Sequence, residues 1–296
     1  MGKNHFSFCP FCHSNKISKV LEVKDFLVSN NSYEIWHCNN CSFRFTQDVP
    51  TLEEIRNYYK SENYISHSDT SKGIINNLYH IARKFMLHIK YRHIKKRYNK
   101  KSGFLLDIGA GTGYFVDFMT KRGYKTEGIE VDPEARKIAE KNFGIKLLEA
   151  NDIYKLPKEK YDIITMWHVL EHIHDLEGYI KRIKYSLKKD GLFVCALPNY
   201  TSFDCDYYKE NWAAYDVPRH LWHFSPYFFQ QFAAMYEFEI IETNSMPLDA
   251  IYISILSEKI KGRNAIFGFI NGSIFFIKSL LNKNKASSII YFMKKI

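Results

Sequence analysis

The chain has 296 residues, of which 46% are apolar and 25% charged, with a formal net charge of +10. A chain of this length allows one or two domains and can bury a substantial core. It opens without the apolar run of a secretory signal, and no stretch reaches the roughly 20 apolar residues of a spanning helix. We therefore expect a cytoplasmic protein with reduced or metal-bound cysteines.

Four of the six cysteines form two pairs near the start of the chain: Cys9 with Cys12, and Cys38 with Cys41. The two-residue spacing within each pair lets both sulfurs of a turn reach one zinc ion. The 25 residues between the pairs slightly exceed the usual separation. We predict a structural zinc ribbon over residues 1–48, and the alternatives are two disulfides or a site that has lost its metal. A closed four-cysteine site holds a module together and leaves no position open for chemistry.

A helical connector is predicted over residues 49–101. Its second half is expected to be one helix, because the apolar residues Leu78, Ile81, Phe85 and Ile89 recur at helical spacing while lysines and arginines occupy the other positions. A basic face and a net charge of +10 raise the prospect of an anionic partner, either nucleic acid, a nucleotide-linked substrate or an acidic membrane. We favour a simple solvated face, since no known nucleic-acid module accompanies it.

The next segment, 104–115, reads as a short apolar strand, a glycine-rich loop and the start of a helix. The glycines at 109, 111 and 113 let the backbone turn sharply and approach a ligand closely. Asp107, at the strand end, would repel a dinucleotide pyrophosphate but attract a ligand that carries an ammonium and a sulfonium group. This combination predicts binding of S-adenosylmethionine.

Spacing around the loop supports that ligand. The dinucleotide fingerprint requires a glycine three residues after its second, and this chain has Tyr114 there. A second strand ends in Glu130, a carboxylate suited to hydrogen-bond a ribose, and Asp132 could share that role. A third strand is predicted around 145–148, and Asp152 follows it. There its carboxylate could hydrogen-bond the amino group of an adenine. The alternative for Asp152 is a helix cap or a turn.

These features resemble the class I S-adenosylmethionine-dependent methyltransferases, and more narrowly the branch with ubiquinone-type methylases and zinc-ribbon sugar methyltransferases. The resemblance implies an α/β fold for residues 102–296, with a seven-stranded, Rossmann-like, mostly parallel sheet. It also implies the following contacts: Asp107, Gly109, Gly111 and Gly113 at the methionine end, Glu130 at the ribose and Asp152 at the adenine.

The same resemblance implies a lid over the cofactor. A tyrosine-rich segment before the domain folds over the cofactor in such enzymes, which makes Tyr64 and His67 candidate lid residues here. Aromatic packing and a solvated histidine are an equally good account of the two.

The fourth predicted strand, 161–167, leads into His168-Val-Leu-Glu171-His172. Ligands bind at the carboxyl edge of open α/β sheets, so we expect Met166 and His168 near the cofactor, and Glu171 and His172 near the acceptor. The segment also matches the inverted zinc-protease pattern, which we disfavour. Some quinol methylases of the branch use acids here for a divalent ion, which leaves a second metal open. No Asn-Pro-Pro-Tyr or Pro-Cys element follows, which argues against DNA methylation.

An aromatic insertion at 200–225 is too long for a simple link, and long ordered loops at this edge usually carry function. Its end resembles the stretch in which sugar C-methyltransferases keep a general base, and His220 occupies that position. An oxygen or carbon acceptor must lose a proton, so His220 is the first candidate base and His172 the second. Arg219 could bind a phosphate or carboxylate on the substrate. The alternative for His220 is a cap on the helix that starts near Pro226.

A second insertion at 249–281 contains a strongly apolar segment, 265–277, flanked by basic residues. It is too short to span a bilayer and is expected to form a helix hairpin, a dimer contact or a peripheral membrane contact. The sequence thus predicts a methyltransferase acting on a small, anionic molecule such as a nucleotide-linked sugar, by O- or C-methylation. The alternatives are a quinone or lipid O-methyltransferase, an RNA-binding methyltransferase and a non-catalytic interaction protein.

Overall fold

The computed structural model describes residues 3–59 and 74–296. The strands are β1 Lys3–Asn4, β2 Ile17–Lys24, β3 Ser32–Cys38, β4 Arg44–Thr46, β5 Val49–Pro50, β6 Phe104–Ile108, β7 Lys125–Ile129, β8 Tyr161–Trp167, β9 Leu187–Pro198, β10 Trp222–His223, β11 Phe238–Ser245 and β12 Ser288–Lys295. The helices are α1 Ile74–Arg97, α2 Tyr114–Thr120, α3 Pro133–Phe143, α4 Leu176–Ser186, α5 Phe203–Tyr208, α6 Pro226–Met235, α7 Asp249–Ile260 and α8 Ala265–Leu281.

The chain divides into two compact units. The first unit comprises Met1–Tyr64, His168–Leu176 and Cys195–Tyr291. The second unit comprises Ile65–Trp167, Glu177–Val194 and Phe292–Ile296. Each unit is therefore assembled from segments that are far apart in the sequence.

The main sheet has six strands in the order β11-β12-β9-β8-β6-β7. Within the second unit, β6 pairs in parallel with both β7 and β8. Every residue of β8 is buried, as expected for a central parallel strand covered on both faces. The α/β methyltransferase-type fold that the sequence predicts is confirmed.

The predicted count of seven strands is wrong by one. The segment at 145–148 makes a single parallel bridge, between Leu148 and Ile129. Leu148 donates to the carbonyl of Gly128 and accepts from the amide of Glu130. The chain then enters a tight 3-10 turn at Ala150–Lys155, so no further residue can join the ladder.

The first unit contains a second sheet, in the order β10-β4-β3-β2. Three of its strands belong to the cysteine-rich segment, and the fourth, β10, comes from the end of the 200–225 insertion. In β10, Trp222 pairs with Phe45 and His223 with Arg44 of β4. The insertion that the sequence assigns to the acceptor is therefore also a strand of the ribbon sheet.

Helix α1 lies where the apolar spacing predicts a helix, and part of its apolar stripe is exposed. Ile81 and Phe85, which belong to the predicted apolar stripe, are 64% and 52% exposed. Among residues 80–97 of this helix, the buried side chains are Leu87 and Ile94, seven residues apart on another face. Apolar spacing identified the helix, whereas the packing decided which face is covered.

Candidate active site and zinc centre

The glycine loop between β6 and α2 has the backbone that its sequence predicts. Gly109, Gly111 and Gly113 all have positive φ, at 75°, 53° and 81°. A Cβ on Gly113 would also lie 2.9 Å from the Cβ of Ala139 in α3. The amides of Gly109 and Ala110 both donate to the carbonyl of Ile129 at the end of β7. The loop is thus held in a conformation that only glycine adopts without strain.

Glu130 ties this loop to the end of β7. One oxygen of its buried carboxylate accepts from the amide of Gly111 at 2.7 Å, and the other accepts from the amide of Asp132 at 2.9 Å. Asp132 in turn caps α3 by accepting from the amide of Glu134. Glu130 therefore has a structural role that the sequence did not indicate. Ribose binding by Glu130 and Asp132 stays a prediction.

Asp107 lies at the buried end of β6 and accepts a 2.5 Å hydrogen bond from the hydroxyl of Thr165 in β8. Burial raises the pKa of Asp107 to about 7; Thr165 and Lys90 act to lower it, and Glu130 raises it further. A cationic ligand beside this carboxylate would favour its charged form. Sequence reasoning missed Thr165, which sits directly opposite Asp107 in the pairing of β6 with β8.

The positions of the other predicted cofactor residues give less information about a cofactor site. Asp152 accepts from the amide of Glu149 at 3.0 Å and pairs with Lys155 at 2.9 Å, so it caps its own turn. Met166 is fully buried in β8. Adenine reading by Asp152 and a cofactor contact of Met166 stay predictions. Tyr64 and His67, the predicted lid residues, lie outside the described residues.

In the first unit, His168 follows β8 directly and has a left-handed backbone, with φ 58°. Its Nε2 lies 3.0 Å from Asp249, and its Nδ1 lies 3.5 Å from Glu171. Burial acts to lower the pKa of His168, but these two carboxylates raise it to about 10. His168 is therefore a cation near neutral pH and is unsuited to act as a general base. The zinc-protease pattern also requires a helix that contains His168, and the left-handed backbone at this residue is incompatible with such a helix. The zinc-protease alternative is therefore wrong.

His172 and His220 stack edge to face, with ring centroids 4.5 Å apart. Nδ1 of His220 lies 2.8 Å from the carbonyl of Ala214, and Nδ1 of His172 lies 3.0 Å from the carbonyl of Arg219. A carbonyl can only accept, which assigns the proton of each neutral ring to Nδ1 and leaves a lone pair on Nε2. Both rings thus present a basic nitrogen, and the hydroxyl of Tyr59 adds a 3.0 Å contact to His172.

Glu171 lies beside these rings and is 1% exposed. Among the described residues, neither oxygen of its carboxylate has a hydrogen-bond partner. The nearest groups are the ring nitrogens of His168, at 3.5 Å, and His220, at 4.0 Å. Burial acts to raise the pKa of Glu171, but the surrounding imidazoles hold it below its usual value. A buried anion without a donor is costly, so this carboxylate has capacity for a ligand or a protonated neighbour.

The donor atoms of Glu171, His172 and His220 all lie within 4.8 Å of one another. Two imidazole nitrogens and one carboxylate form a donor set suited to a divalent ion. The second metal raised by the sequence stays a prediction.

Arg219 does not have the predicted role of a substrate anchor. Its guanidinium is 1% exposed and pairs with Asp216 at 2.7 Å and with Asp25 at 3.2 Å. Because both carboxylates pair with Arg219, this side chain links the insertion to the end of β2. Asp25 and Asp216 are functional neighbours that no sequence motif signalled, because they are 191 residues apart.

The alternative role for His220, a helix cap, is also wrong. The cap of α6 is Ser225, whose hydroxyl accepts from the amide of Phe228 at 3.2 Å. The backbone carbonyl of His220 instead accepts from the hydroxyl of Thr46 in β4, at 2.7 Å. The ribbon thus holds the segment that carries His220.

The four ribbon cysteines converge as predicted. Sγ of Cys9 lies 3.7 Å from that of Cys41, and Sγ of Cys12 lies 3.5 Å from that of Cys38. Sulfurs bound tetrahedrally at about 2.3 Å from one zinc ion would be about 3.8 Å apart. None of the six cysteines forms a disulfide, so the disulfide alternative is wrong. The four residues fit a structural zinc ion.

A protein-family model described as a methyltransferase domain matches residues 80–243, which is more than half of the chain. The chain belongs to this methyltransferase family. A ubiquinone biosynthesis O-methyltransferase from Pelagibacter ubique is 31% identical over 104 residues, covering 33% of this chain and 42% of that protein. A ribosomal protein L11 methyltransferase from Dictyoglomus turgidum is 31% identical over 105 residues, covering 33% of this chain and 34% of that protein.

Solved structures give the same fold. A methyltransferase from Archaeoglobus fulgidus, described as dependent on S-adenosylmethionine (SAM), aligns with a TM-score of 0.50 and 19% identity, covering 72% of this chain and 94% of that one. The chain spans less than half the length of the curated relatives it matches. None of its described helices combines the length and the apolar character needed to traverse a bilayer.

Proposed function

We propose that this protein transfers a methyl group from S-adenosylmethionine to a hydroxyl or an acidic carbon of a small molecule, with His220 as the general base. The observation that carries the proposal is the buried carboxylate of Glu171, which has no hydrogen bond among the described residues, beside the Nε2 of His220. Family membership supports the reaction class. The residues that would hold the cofactor are Asp107, the loop glycines and Glu130.

When bound, S-adenosylmethionine supplies an electrophilic methyl carbon, and its C–S bond breaks as the bond to the acceptor atom forms. The acceptor must lose a proton to become a good nucleophile. Nε2 of His220 takes that proton, while its Nδ1–H stays on the carbonyl of Ala214. The carboxylates of Glu171 and Asp216, each 4.0 Å from Nε2, then stabilise the imidazolium.

His172 is the weaker candidate base. Burial and the neighbouring His220 lower the pKa of His172 to about 4, although Glu171 and Asp216 oppose this. A group with so low a pKa stays neutral and accepts a proton poorly. We assign it to positioning the acceptor, together with the hydroxyl of Tyr59.

The acceptor class rests on coarser arguments. The net charge of +10 supports an anionic acceptor such as a nucleotide-linked sugar, but Arg219 is occupied by Asp25 and Asp216 and adds no support. A quinone or lipid acceptor is the second candidate, which the exposed apolar surface of α8 favours.

Incubation with methyl-labelled S-adenosylmethionine and a deproteinised extract of the source organism tests the proposal. We expect labelled product with the wild-type chain, none with His220→Asn and full yield with His88→Asn, an exposed histidine on α1. Label retained on an anion exchanger supports a nucleotide-linked acceptor, and label in an organic solvent supports a quinone or lipid. Equal product from His220→Asn and wild type would exclude His220 as the base.

A further inference from the structure

Helix α8 has an unusual distribution of side chains. Apart from Lys278, its most exposed residues are large and apolar, with exposed fractions of 44% to 90%: Ile266, Phe267, Phe269, Ile270, Ile274, Ile277, Leu280 and Leu281. Singly exposed apolar residues are ordinary, but a continuous apolar face of this size marks an interaction surface.

The inward side of the same helix hairpin carries polar residues as well as the core residues Ile253 and Phe275. Glu258 of α7 is completely buried, and its Oε1 accepts from the hydroxyl of Tyr208 and from the side-chain amide of Asn271 in α8, both at 3.1 Å. A helix of a water-soluble protein normally buries its apolar residues and exposes its polar ones. The outer face of α8 is apolar instead, which indicates that it meets an apolar environment.

The hairpin holds α8 firmly against α7. A Cβ on Gly268 would lie 2.4 Å from Cα of Ile255, and one on Gly272 would lie 2.5 Å from Cα of Ile251. The two helices thus approach along a stripe of glycines, which fixes the rotation of α8. The apolar residues cannot turn inward without losing this contact.

The charged residues around the hairpin indicate what binds the apolar face of α8. Between 249 and 285 the basic residues are Lys259, Lys261, Arg263, Lys278, Lys283 and Lys285. The acids in that range are Asp249, which pairs with His168, and Glu258, which is buried and lies 3.9 Å from Arg263. Lys285 pairs with Asp206, so the border cations that carry the argument are Lys259, Lys261, Lys278 and Lys283. An apolar face bordered by cations complements the acyl and anionic headgroup layers of a membrane.

We propose that α8 docks this protein onto the surface of an anionic lipid bilayer. The 17 residues of α8 span about 25 Å, which is too short to cross a bilayer. The helix therefore lies along the membrane surface. A second copy of the chain fits less well, because a symmetric contact would bring two cationic borders together. The inference concerns where the protein binds and does not depend on the methyl acceptor.

Co-sedimentation of the full chain with lipid vesicles tests this inference. We expect binding to vesicles of phosphatidylcholine with phosphatidylglycerol, weaker binding to phosphatidylcholine alone, and weakening by salt. The triple variant Ile266→Ser/Ile270→Ser/Ile277→Ser should bind about tenfold more weakly or worse. Lys278→Glu/Lys283→Glu should remove the preference for the anionic vesicles.

The matched control is Ile81→Ser/Phe85→Ser/Val131→Ser, which removes three similarly exposed apolar side chains from the second unit and should bind as wild type. Circular dichroism should show the same helix content in all variants, because the changed residues are exposed. Absence of binding to anionic vesicles would overturn the proposal. So would a dimer in analytical ultracentrifugation that the α8 triple variant abolishes, since a second copy would then cover the face.

Discussion

The glycine loop and the histidine cluster are built in opposite ways. The loop in the second unit lies within residues 107–132 apart from Thr165, and its backbone amides and carboxylates satisfy one another. The cluster of Glu171, His172 and His220 in the first unit combines distant segments and leaves a buried carboxylate without a hydrogen bond among the described residues. A binding loop can be complete by itself, whereas a reactive cluster retains unsatisfied capacity for the group it acts on.

Removal of the ribbon zinc should have the largest effect, because it should disrupt the histidine cluster as well as the ribbon. Zinc-linked folding energies reach about 10 kcal/mol in small modules, and the ribbon holds the cluster through Thr46 and Asp25. Cys9→Ser/Cys12→Ser should lose about one zinc per chain by elemental analysis, lower the melting temperature and abolish methyl transfer. Cys195→Ser should keep its zinc. Full zinc content in the double variant would contradict the assignment.

Loss of the proposed general base should impair catalysis without impairing cofactor binding. We expect His220→Asn to lower kcat by roughly 10²–10⁴-fold, because the proton of the acceptor loses its destination. Binding of S-adenosylmethionine by isothermal titration should change by less than about twofold, since the glycine loop is intact. A large fall in cofactor affinity with unchanged kcat would reverse the roles assigned to the two regions.

Asp107 should make the cofactor-free protein less stable as the pH rises. Its folded pKa of about 7 exceeds its ordinary value of 3.8, so the folded state holds an extra proton between these values and stability falls through that window. Asp107→Asn should remove a fall of roughly 2–4 kcal/mol between pH 4 and 8, measured by urea unfolding. The same variant should bind S-adenosylmethionine more weakly.

The exposed control for that measurement is Asp190→Asn, which should retain the wild-type pH dependence. If Asp107→Asn and wild type lose the same stability over this pH range, the buried carboxylate is charged throughout and our account of it is incorrect.

Gly113→Ala should have the smallest of these effects. The added Cβ strains the backbone at φ 81° and lies 2.9 Å from Ala139. Together these effects should lower the free energy of unfolding by about 1–3 kcal/mol. Gly123→Ala is the matched control, because φ there is 87° and nothing lies within 4 Å of the added Cβ. Denaturant unfolding should show Gly113→Ala to be the less stable variant, and equal losses would assign the whole effect to the backbone.

The sequence by itself determined the elements that depend on neighbouring residues. The glycine loop follows from residue types at fixed spacing, and the paired cysteines from the geometry of zinc ligation. Strand β8 was predicted with its observed bounds, because a short, largely apolar segment is typical of a buried parallel strand.

Only the tertiary structure decided what depends on contacts between distant segments. It placed β10 in the ribbon sheet, paired Arg219 with Asp25, set Glu171 beside His220 and turned Ile81 and Phe85 outward. Local periodicity reports which side chains share a face of an element, but not which element covers that face. For the same reason Arg219 reads as a substrate anchor in the sequence, while in the fold two buried carboxylates occupy it.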